Sequence, residues 1–402
     1  MLFSNFIKQE EQVKPKETNF NLPTICFITM CKNEEHCIKT TLESVYKYID
    51  YWIVCDTGSQ DNTCNIVKKF FEEKNIPGEL FMDEWKGFDK NKTLMFERAY
   101  KKTDFVLHLD ADDFFVGHLN KNLLISEKKD IYNFNYRRGY LQFKTSSLYN
   151  NHLKWIYVGV AHNYIKCIDD DNQNITTSNI FANDDIYVDN NERGARKFDP
   201  NKYINDALKL KEQFFEVLYD DPHNLLRRSV FYTGQSYMDA GFYKEAIQWY
   251  TLFTELKNTW VEENFESAVR IGKCMIQLNM DENKIKSQLE KAINILPDRA
   301  EPYFILGKYF NNKSNCRVGY HYLNDAKNKN LFEVSNKYTL FIDIFNYGKY
   351  VNDELSIACY WTDRLKEGYE LLNEIIDDED FKQHKDRLLQ NKNHFMNKMI
   401  LK

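Results

Sequence analysis

From Thr24 to about Asp113, apolar runs alternate with stretches of helical period: ICFITMC, EEHCIKTTLESVYKYI, YWIVCDTGS, QDNTCNIVKKFFEEKN, a short GELFMDE, a helix around KNKTLMFERAY, and FVLHLD. Strands alternating with helices at this spacing predict a parallel, doubly wound sheet. Such sheets bind their ligands beyond the carboxyl ends of the strands. The unusual residues of this chain collect at those ends: CKNEE after the first strand, CDTGSQDNT after the second and LDADD after the later one. Phe105-Val106-Leu107 reads as a strand buried on both faces, and Asp110, Asp112 and Asp113 arrive where it must leave the core. Carboxylates crowded at one strand end repel one another, a repulsion that a Lys, an Arg or a divalent cation resolves. Gly58 permits a tight turn, and Ser59 or Asp61 can cap the next helix. Asp56 stands before that turn with no local backbone role as obvious as a cap.

A chain of 402 residues is long for one core and predicts two or three domains. At 43% hydrophobic and 15% aromatic it can bury sizeable cores, and a net charge of -6 gives no overall basic face for nucleic acid or an anionic membrane. The nine cysteines include no C-x-x-C pair, which argues against a zinc ribbon or a thioredoxin-like site and for buried free thiols in a reducing compartment. The first residues, MLFSNFIKQEEQVKPKETNFNLP, mix charges into every window and lack a signal-peptide core. No stretch approaches the roughly 20 apolar residues of a membrane span. The expectation is a soluble, intracellular protein with a polar arm over residues 1–22.

TMCKNEEHCIKTTLESV, IVCDTGSQDNT and VLHLDADDFF, in this order, resemble the nucleotide-binding half of family-2 glycosyltransferases with the GT-A fold. The resemblance implies an α/β, Rossmann-like domain with a mostly parallel sheet over residues 23–200. It places the Asp56 carboxylate at the nucleobase and Glu34 near the ribose. Asp110-x-Asp112 resembles the family's D-x-D motif, which holds a divalent metal against the sugar-nucleotide diphosphate, and Asp112 is expected to act in catalysis through that metal. An Arg usually stands before D-x-D in a segment like FSxARN; GFDKNKT occupies that place here, so Lys92 is the matching cation. That exchange keeps the charge and gives up bidentate phosphate recognition. Mn²⁺ or Mg²⁺ suits the all-oxygen pair, and a histidine ligand would favour Mn²⁺.

Residues 131 to 166 alternate polar and apolar positions, as an antiparallel meander with one solvated face would. Within them WIYVGVAHNY resembles the W-x-x-G-x-x-H-E segment of a subset of these transferases, which makes His162 a third candidate metal ligand. Asn163 replaces the Glu of that subset, so another group must take the acceptor proton if that Glu is the base. Arg193, Arg196, Lys197 and Lys202 concentrate positive charge in a Gly-containing loop before a helix, a loop able to close over the diphosphate and exclude water. Related transferases with helical-repeat tails carry a similar G-x-R-x-x-x-P-x-K-Y-x-x-D-A stretch, and on that resemblance Asp206 is a base candidate.

From about Asp221 the pattern is helical throughout. Gly234, Gly272 and Gly307 recur at a period close to the 34-residue tetratricopeptide repeat. An all-α, TPR-like domain is expected over residues 201–402, with two to three degenerate units and a helical cap. The expected function is metal-dependent transfer of a sugar from a nucleotide-sugar, UDP-sugar being the commonest donor in the family, to an acceptor hydroxyl with inversion. This places the chain among the hexosyltransferase-like enzymes. The acceptor could be a glycan, a protein side chain or a lipid-linked sugar, and the helical domain would bind it, position it or form a homodimer. The competing reading is a TPR-type adaptor whose nucleotide-binding half is vestigial; Asp56, Asp110 and Asp112 are all present and favour the enzyme. The density of Asn, Lys, Ile, Tyr and Phe resembles that of an AT-rich genome. Similar transferases occur in low-GC bacteria and in giant DNA viruses, so the expected site of action is the cytoplasm, with a virus-encoded protein acting in the host cytoplasm or the virion as the variant of that expectation.

Overall fold

The computed structural model describes residues 22–139, 141–169, 174–183, 185–190 and 193–401. All but the last residue of the expected polar arm lies outside them. The N-terminal half is built from β1 (Ile25–Cys31), α1 (Ile38–Val45), β2 (Tyr51–Asp56), α2 (Thr63–Lys74), β3 (Gly78–Met82), α3 (Phe88–Ala99), β4 (Phe105–His108), β5 (Phe114–Val116), α4 (Asn122–Glu127), β6 (Ile131–Arg138), β7 (Leu141–Asn150), β8 (Trp155–Val158), β9 (Tyr164–Cys167), β10 (Thr177–Phe181) and β11 (Tyr187–Asp189). Among the described residues the main sheet runs β3-β2-β1-β4-β7-β6-β11-β5, with β10 also paired to β6. Strands β1 to β4 are parallel to one another, and β7 enters antiparallel beside β4.

Period-two alternation sorts the strand residues onto two faces. Ile25 and Phe27 of β1 and Trp52 and Val54 of β2 bury against α1 and α2, whereas Cys26, Ile28, Ile53 and Cys55 bury against Met95, Phe96 and Ala99 of α3. Each fully buried large side chain contributes about 1.5–3 kcal/mol relative to exposure. Burial on both faces explains why these strands read as unbroken apolar runs. The register sets Cys31 opposite Asp56, Asp56 opposite Met82 and Ile28 opposite His108, so the three acidic loops emerge on one edge.

The expected meander holds only in part. Strands β6 and β7 form the antiparallel hairpin, but β8 and β9 leave the sheet as a separate two-stranded ribbon. Trp155 and Cys167 draw that ribbon under α3, and the Tyr157 amide donates to Thr93 Oγ1 at 2.9 Å. His162 therefore lies in the turn between the ribbon strands, with φ +47°, and is not a strand residue.

The C-terminal half is all helical: α5 (Lys202–Glu216), α6 (Leu225–Asp239), α7 (Tyr243–Glu255), α8 (Val261–Gln277), α9 (Glu282–Ile295), α10 (Glu301–Asn312), α11 (Cys316–Lys327), α12 (Leu331–Lys337), α13 (Asn352–Trp361), α14 (Leu365–Ile375) and α15 (Lys385–Ile400). The recurring glycines mark where paired helices touch. A Cβ at Gly234 would stand 3.0 Å from the Tyr250 ring, at Gly272 2.5 Å from a Leu289 methyl, and at Gly307 2.4 Å from Leu323 Cγ. The same small-against-large contact thus closes the pairs α6/α7, α8/α9 and α10/α11, which is the physical content of the repeat. Residues 338–351 interrupt the array with irregular backbone and two short 3₁₀ turns. No helix among the described residues is long and apolar enough to cross a membrane.

Candidate functional site

A cleft of about 830 Å³ opens between the carboxyl edge of the sheet and the first helices of the C-terminal half. Its sheet side carries Glu34, Lys92, Asp110 and Asp112; its helical side carries Arg228, Tyr232, Trp260 and Phe341. Asp110 lies just beyond β4, half exposed to cleft solvent, and Lys92 of α3 donates to its Oδ1 at 2.9 Å. That ammonium holds the Asp110 carboxyl at a pKa of about 2. Lys92 thus meets the carboxylate repulsion expected at this strand end.

Asp113 is buried, and burial together with Asp110 and Asp112 raises its pKa well above the ordinary carboxylate range. Asn190 donates to Asp113 Oδ1 at 2.5 Å and accepts from Arg138 Nε at 2.7 Å, which links the buried acid to the cleft wall. A carboxyl with a raised folded-state pKa favours folding fully below its unfolded-state value, and that contribution is lost as pH rises through the folded value. Asp113→Asn removes the ionisation and keeps an acceptor oxygen. The variant is expected to melt higher than the parent at pH 7–8, with the difference vanishing near pH 4; melting curves across that range check it.

The expected basic loop is a strap latched onto the acidic loops by its own main chain. The Gly194 amide donates to Asp112 Oδ2 at 2.8 Å, the Ala195 amide to Glu34 Oε2 at 3.1 Å, and the Arg193 carbonyl lies 2.6 Å from His36 Nε2. The approach at 194 is close: a Cβ there would lie 2.9 Å from Asp112 Oδ2 and 3.2 Å from Glu34 Oε1, so a side chain would push on both carboxylates. Burial raises the Glu34 pKa, against the donors from Cys37 and Ala195 that lower it. The cations of the strap divide. Arg196 and Lys202 line the cleft, and Arg196 pairs with Asp206 while its guanidinium lies 4.7 Å over the Phe88 ring. Arg193 instead stacks on Phe114 at 4.5 Å and bonds Asp189 at 3.1 Å. Of Lys197 the backbone alone is described, within the 3₁₀ turn Ala195–Phe198. Asp206 is 5% exposed and pairs with Arg196, so it is neither solvated nor unpaired.

Asp56 corrects one expectation. It does have a local backbone role: its Oδ1 accepts from the amides of Gly58 at 2.9 Å and Ser59 at 2.8 Å, folding the turn on itself, and it has no exposed surface. His162 lines the cleft on the opposite side, its ring flat on Tyr232 of α6 at 4.2 Å between centroids. Desolvation of the charged ring within the cleft, and then the positive charges of Arg228, Arg196, Arg270 and Arg138, hold its pKa well below the ordinary imidazole value.

A hard divalent cation fits part of the expected ligand set. Lys92 takes Asp110 Oδ1 and Gly194 takes Asp112 Oδ2, leaving Asp110 Oδ2 and Asp112 Oδ1 without a hydrogen-bond partner among the described residues. Two such oxygens, two residues apart, suit Mg²⁺ or Mn²⁺. His162 stands across the cleft, its ring on Tyr232 and its carbonyl accepting from Arg228 Nε. Among the described residues the one group of three potential ligand atoms lying within 4.8 Å of one another is Glu34, His36 and Cys37, so Asp110, Asp112 and His162 are spread more widely.

Sequence reasoning passed over His108, Arg138, Asn190 and the helical wall. His108 adjoins the acidic motif and was open to notice; Arg228, Trp260 and Phe341 carry no local signature, because only the packing of the two halves brings them to the cleft.

Residues 26–125, from β1 into α4, match the family Glycosyl transferase family 2, so the N-terminal half carries a domain of that family. No curated protein matches the chain. Among solved structures, S. aureus TarS is 13% identical over 68% of this chain and 52% of its own, with a TM-score of 0.32. A tetratricopeptide repeat protein from Parabacteroides merdae is 12% identical over 50% of this chain and 68% of its own, at 0.35. MamA from Desulfovibrio magneticus RS-1 is 14% identical over 47% of this chain and 98% of its own, at 0.31. The chain spans about half the length of TarS. None of these scores reaches 0.5, so the family match is the comparison that bears on function, and it supports a glycosyltransferase.

Proposed function

We propose that the protein transfers a sugar from a nucleotide-sugar, with UDP-sugar as the expected donor, to an acceptor hydroxyl with inversion. The observation that carries this reading is the convergence of Glu34, Asp110, Asp112 and Lys92 on one cleft at the carboxyl edge of a family-2 glycosyl transferase domain. Glu34, and the turn that Asp56 builds after β2, form the nucleoside end. Lys92, Arg196 and Lys202 flank the diphosphate, and the strap excludes water from it.

The bond that breaks joins the anomeric carbon to a diphosphate oxygen, and negative charge grows on that oxygen. Asp110 Oδ2 and Asp112 Oδ1 would hold Mn²⁺ or Mg²⁺, whose charge stabilises the leaving diphosphate. The acceptor oxygen forms the new bond from the opposite face, and its proton passes to a carboxylate. Asp206 is the base we propose: it lines the cleft and commits one oxygen to Arg196. The acceptor, whether glycan, protein or lipid-linked sugar, would lie against the helical side of the cleft.

The test is a melting-temperature panel of nucleoside diphosphates and nucleotide-sugars with and without Mn²⁺. A ligand at about a hundred times its Kd adds roughly 2.7 kcal/mol and moves the midpoint visibly. One nucleotide should raise the midpoint in a Mn²⁺-dependent way and lose that effect in Asp112→Ala. No shift with any nucleotide, from folded protein, would leave the repeat adaptor as the better account.

A further inference from the structure

His108 closes β4 two residues before Asp110. Its imidazole is 7% exposed and held by ring contacts to Phe96 and Tyr157, with centroids at 5.8 and 5.6 Å. Nδ1 is 2.9 Å from the Tyr157 hydroxyl. Nε2 is buried without a hydrogen-bond partner and lies 3.8 Å from Asp110 Oδ1, the oxygen that Lys92 holds at 2.9 Å. That gap is too long for a hydrogen bond.

The tautomer follows from the surroundings. A bare lone pair on Nε2 would face a carboxylate, so the proton belongs on Nε2 and Nδ1 accepts from Tyr157. One oxygen of Asp110 then has two donors aimed at it, one engaged and one idle. An idle buried donor is costly to keep unless another state uses it. Asp110, half exposed, can rotate; His108, fixed on both sides, cannot.

We infer that His108 is a positioning residue of the donor site: its Nε2–H takes over the Asp110 carboxylate when the donor's diphosphate draws the Lys92 ammonium away. Lys92 can then pair with phosphate without leaving Asp110 adrift, so one lysine does what the usual arginine would do with two prongs. The inference rests on the donor-site reading above.

The probes are UDP and its nucleoside, uridine, with ADP, GDP and CDP and their nucleosides in parallel, titrated with Mn²⁺ into the full chain and into His108→Phe and His108→Gln. Phenylalanine keeps the ring shape without the donor; glutamine restores an N–H. For the best-bound base, His108→Phe should weaken diphosphate binding about tenfold, leave nucleoside binding unchanged, and be largely rescued by His108→Gln. Equal diphosphate affinity in parent and His108→Phe overturns the inference alone; so does equal weakening of nucleoside and diphosphate, which marks a general structural role. Absence of any nucleotide binding by the parent overturns the donor-site reading and the inference with it. If His108→Phe does not fold, the imidazole ¹⁵N signals of the parent decide: the Nε2–H resonance moves to a hydrogen-bonded position on adding the bound diphosphate, and an unmoved signal overturns the inference.

Discussion

Asp112→Asn is expected to lower the rate of nucleoside diphosphate release from the bound donor about a hundred- to thousandfold, with little change in melting temperature. The choice of asparagine separates two roles of one side chain. Asp112 Oδ2 accepts from the Gly194 amide at 2.8 Å and so latches the strap, while Oδ1 has no hydrogen-bond partner among the described residues and the residue lines the cleft. An amide oxygen can still accept from Gly194, so the latch survives; the negative charge does not. Loss of one group that stabilises charge in the transition state typically costs that factor in rate. The measurement is diphosphate release with water as acceptor, which needs no knowledge of the natural acceptor. A near-normal rate in Asp112→Asn would mean that Asp112 serves the strap and not the diphosphate, and the catalytic role assigned to it would fall. Glu34→Gln is the companion at the proposed nucleoside end: it keeps the acceptor for Ala195.

What was legible in the sequence was what period and order encode. Strands buried on both faces read as apolar runs, and the parallel register that follows from strand-helix alternation brings Glu34, Asp56 and Asp110 to one edge. Chemistry that depends on a side chain's second partner was not legible. Asp56 looked uncommitted because the amides it binds, at 58 and 59, are also what any tight turn would offer one another. His162 looked like a strand residue because WIYVGVAHNY alternates, yet the aromatic and cysteine residues flanking it pull the ribbon off the sheet and turn its tip towards α6. Gly194 sits in a run of charges that reads as a basic closing loop, and its main-chain latch onto the Asp112 and Glu34 carboxylates leaves no mark in the local sequence. The helical wall of the cleft was least legible. Its residues come from α6, α8 and the irregular segment after α12, and no local pattern ties 228 to 260 or to 341.

That irregular segment carries the largest expected loss of stability. Arg299 is fully buried, with Nε and Nη2 on Glu301 at 2.7–3.1 Å, a longer contact to Glu266 at 3.4 Å, and two bonds at 3.1 Å to the carbonyls of Leu340 and Phe341. Glu262 accepts the amides of Thr339 and Leu340 from the other side, so α8 and α10 together clamp a stretch with no regular structure of its own. The clamp is needed because Phe341 holds φ +49°, a left-handed conformation unfavourable for a bulky residue. Removing one partner of a buried ion pair typically costs 3–5 kcal/mol. Glu266 keeps Arg270, and Glu301 keeps the Tyr347 hydroxyl, which places Arg299→Met near the lower end, at about 3 kcal/mol. Urea unfolding measures it, and adding Glu301→Gln to Arg299→Met should recover part of the loss by removing the stranded charge. A change under about 0.5 kcal/mol, the scale of an ordinary surface substitution, would mean that the segment is held by packing and not by the arginine. Because Thr339, Leu340 and Phe341 line the cleft, Phe341 against the Arg270 guanidinium at 4.5 Å, a lost clamp also loosens the wall on which the acceptor is proposed to lie. Arg299→Met should therefore weaken transfer to an acceptor more than it weakens release of diphosphate to water, since Glu34, Lys92, Asp110 and Asp112 of the proposed donor site belong to the other half of the chain.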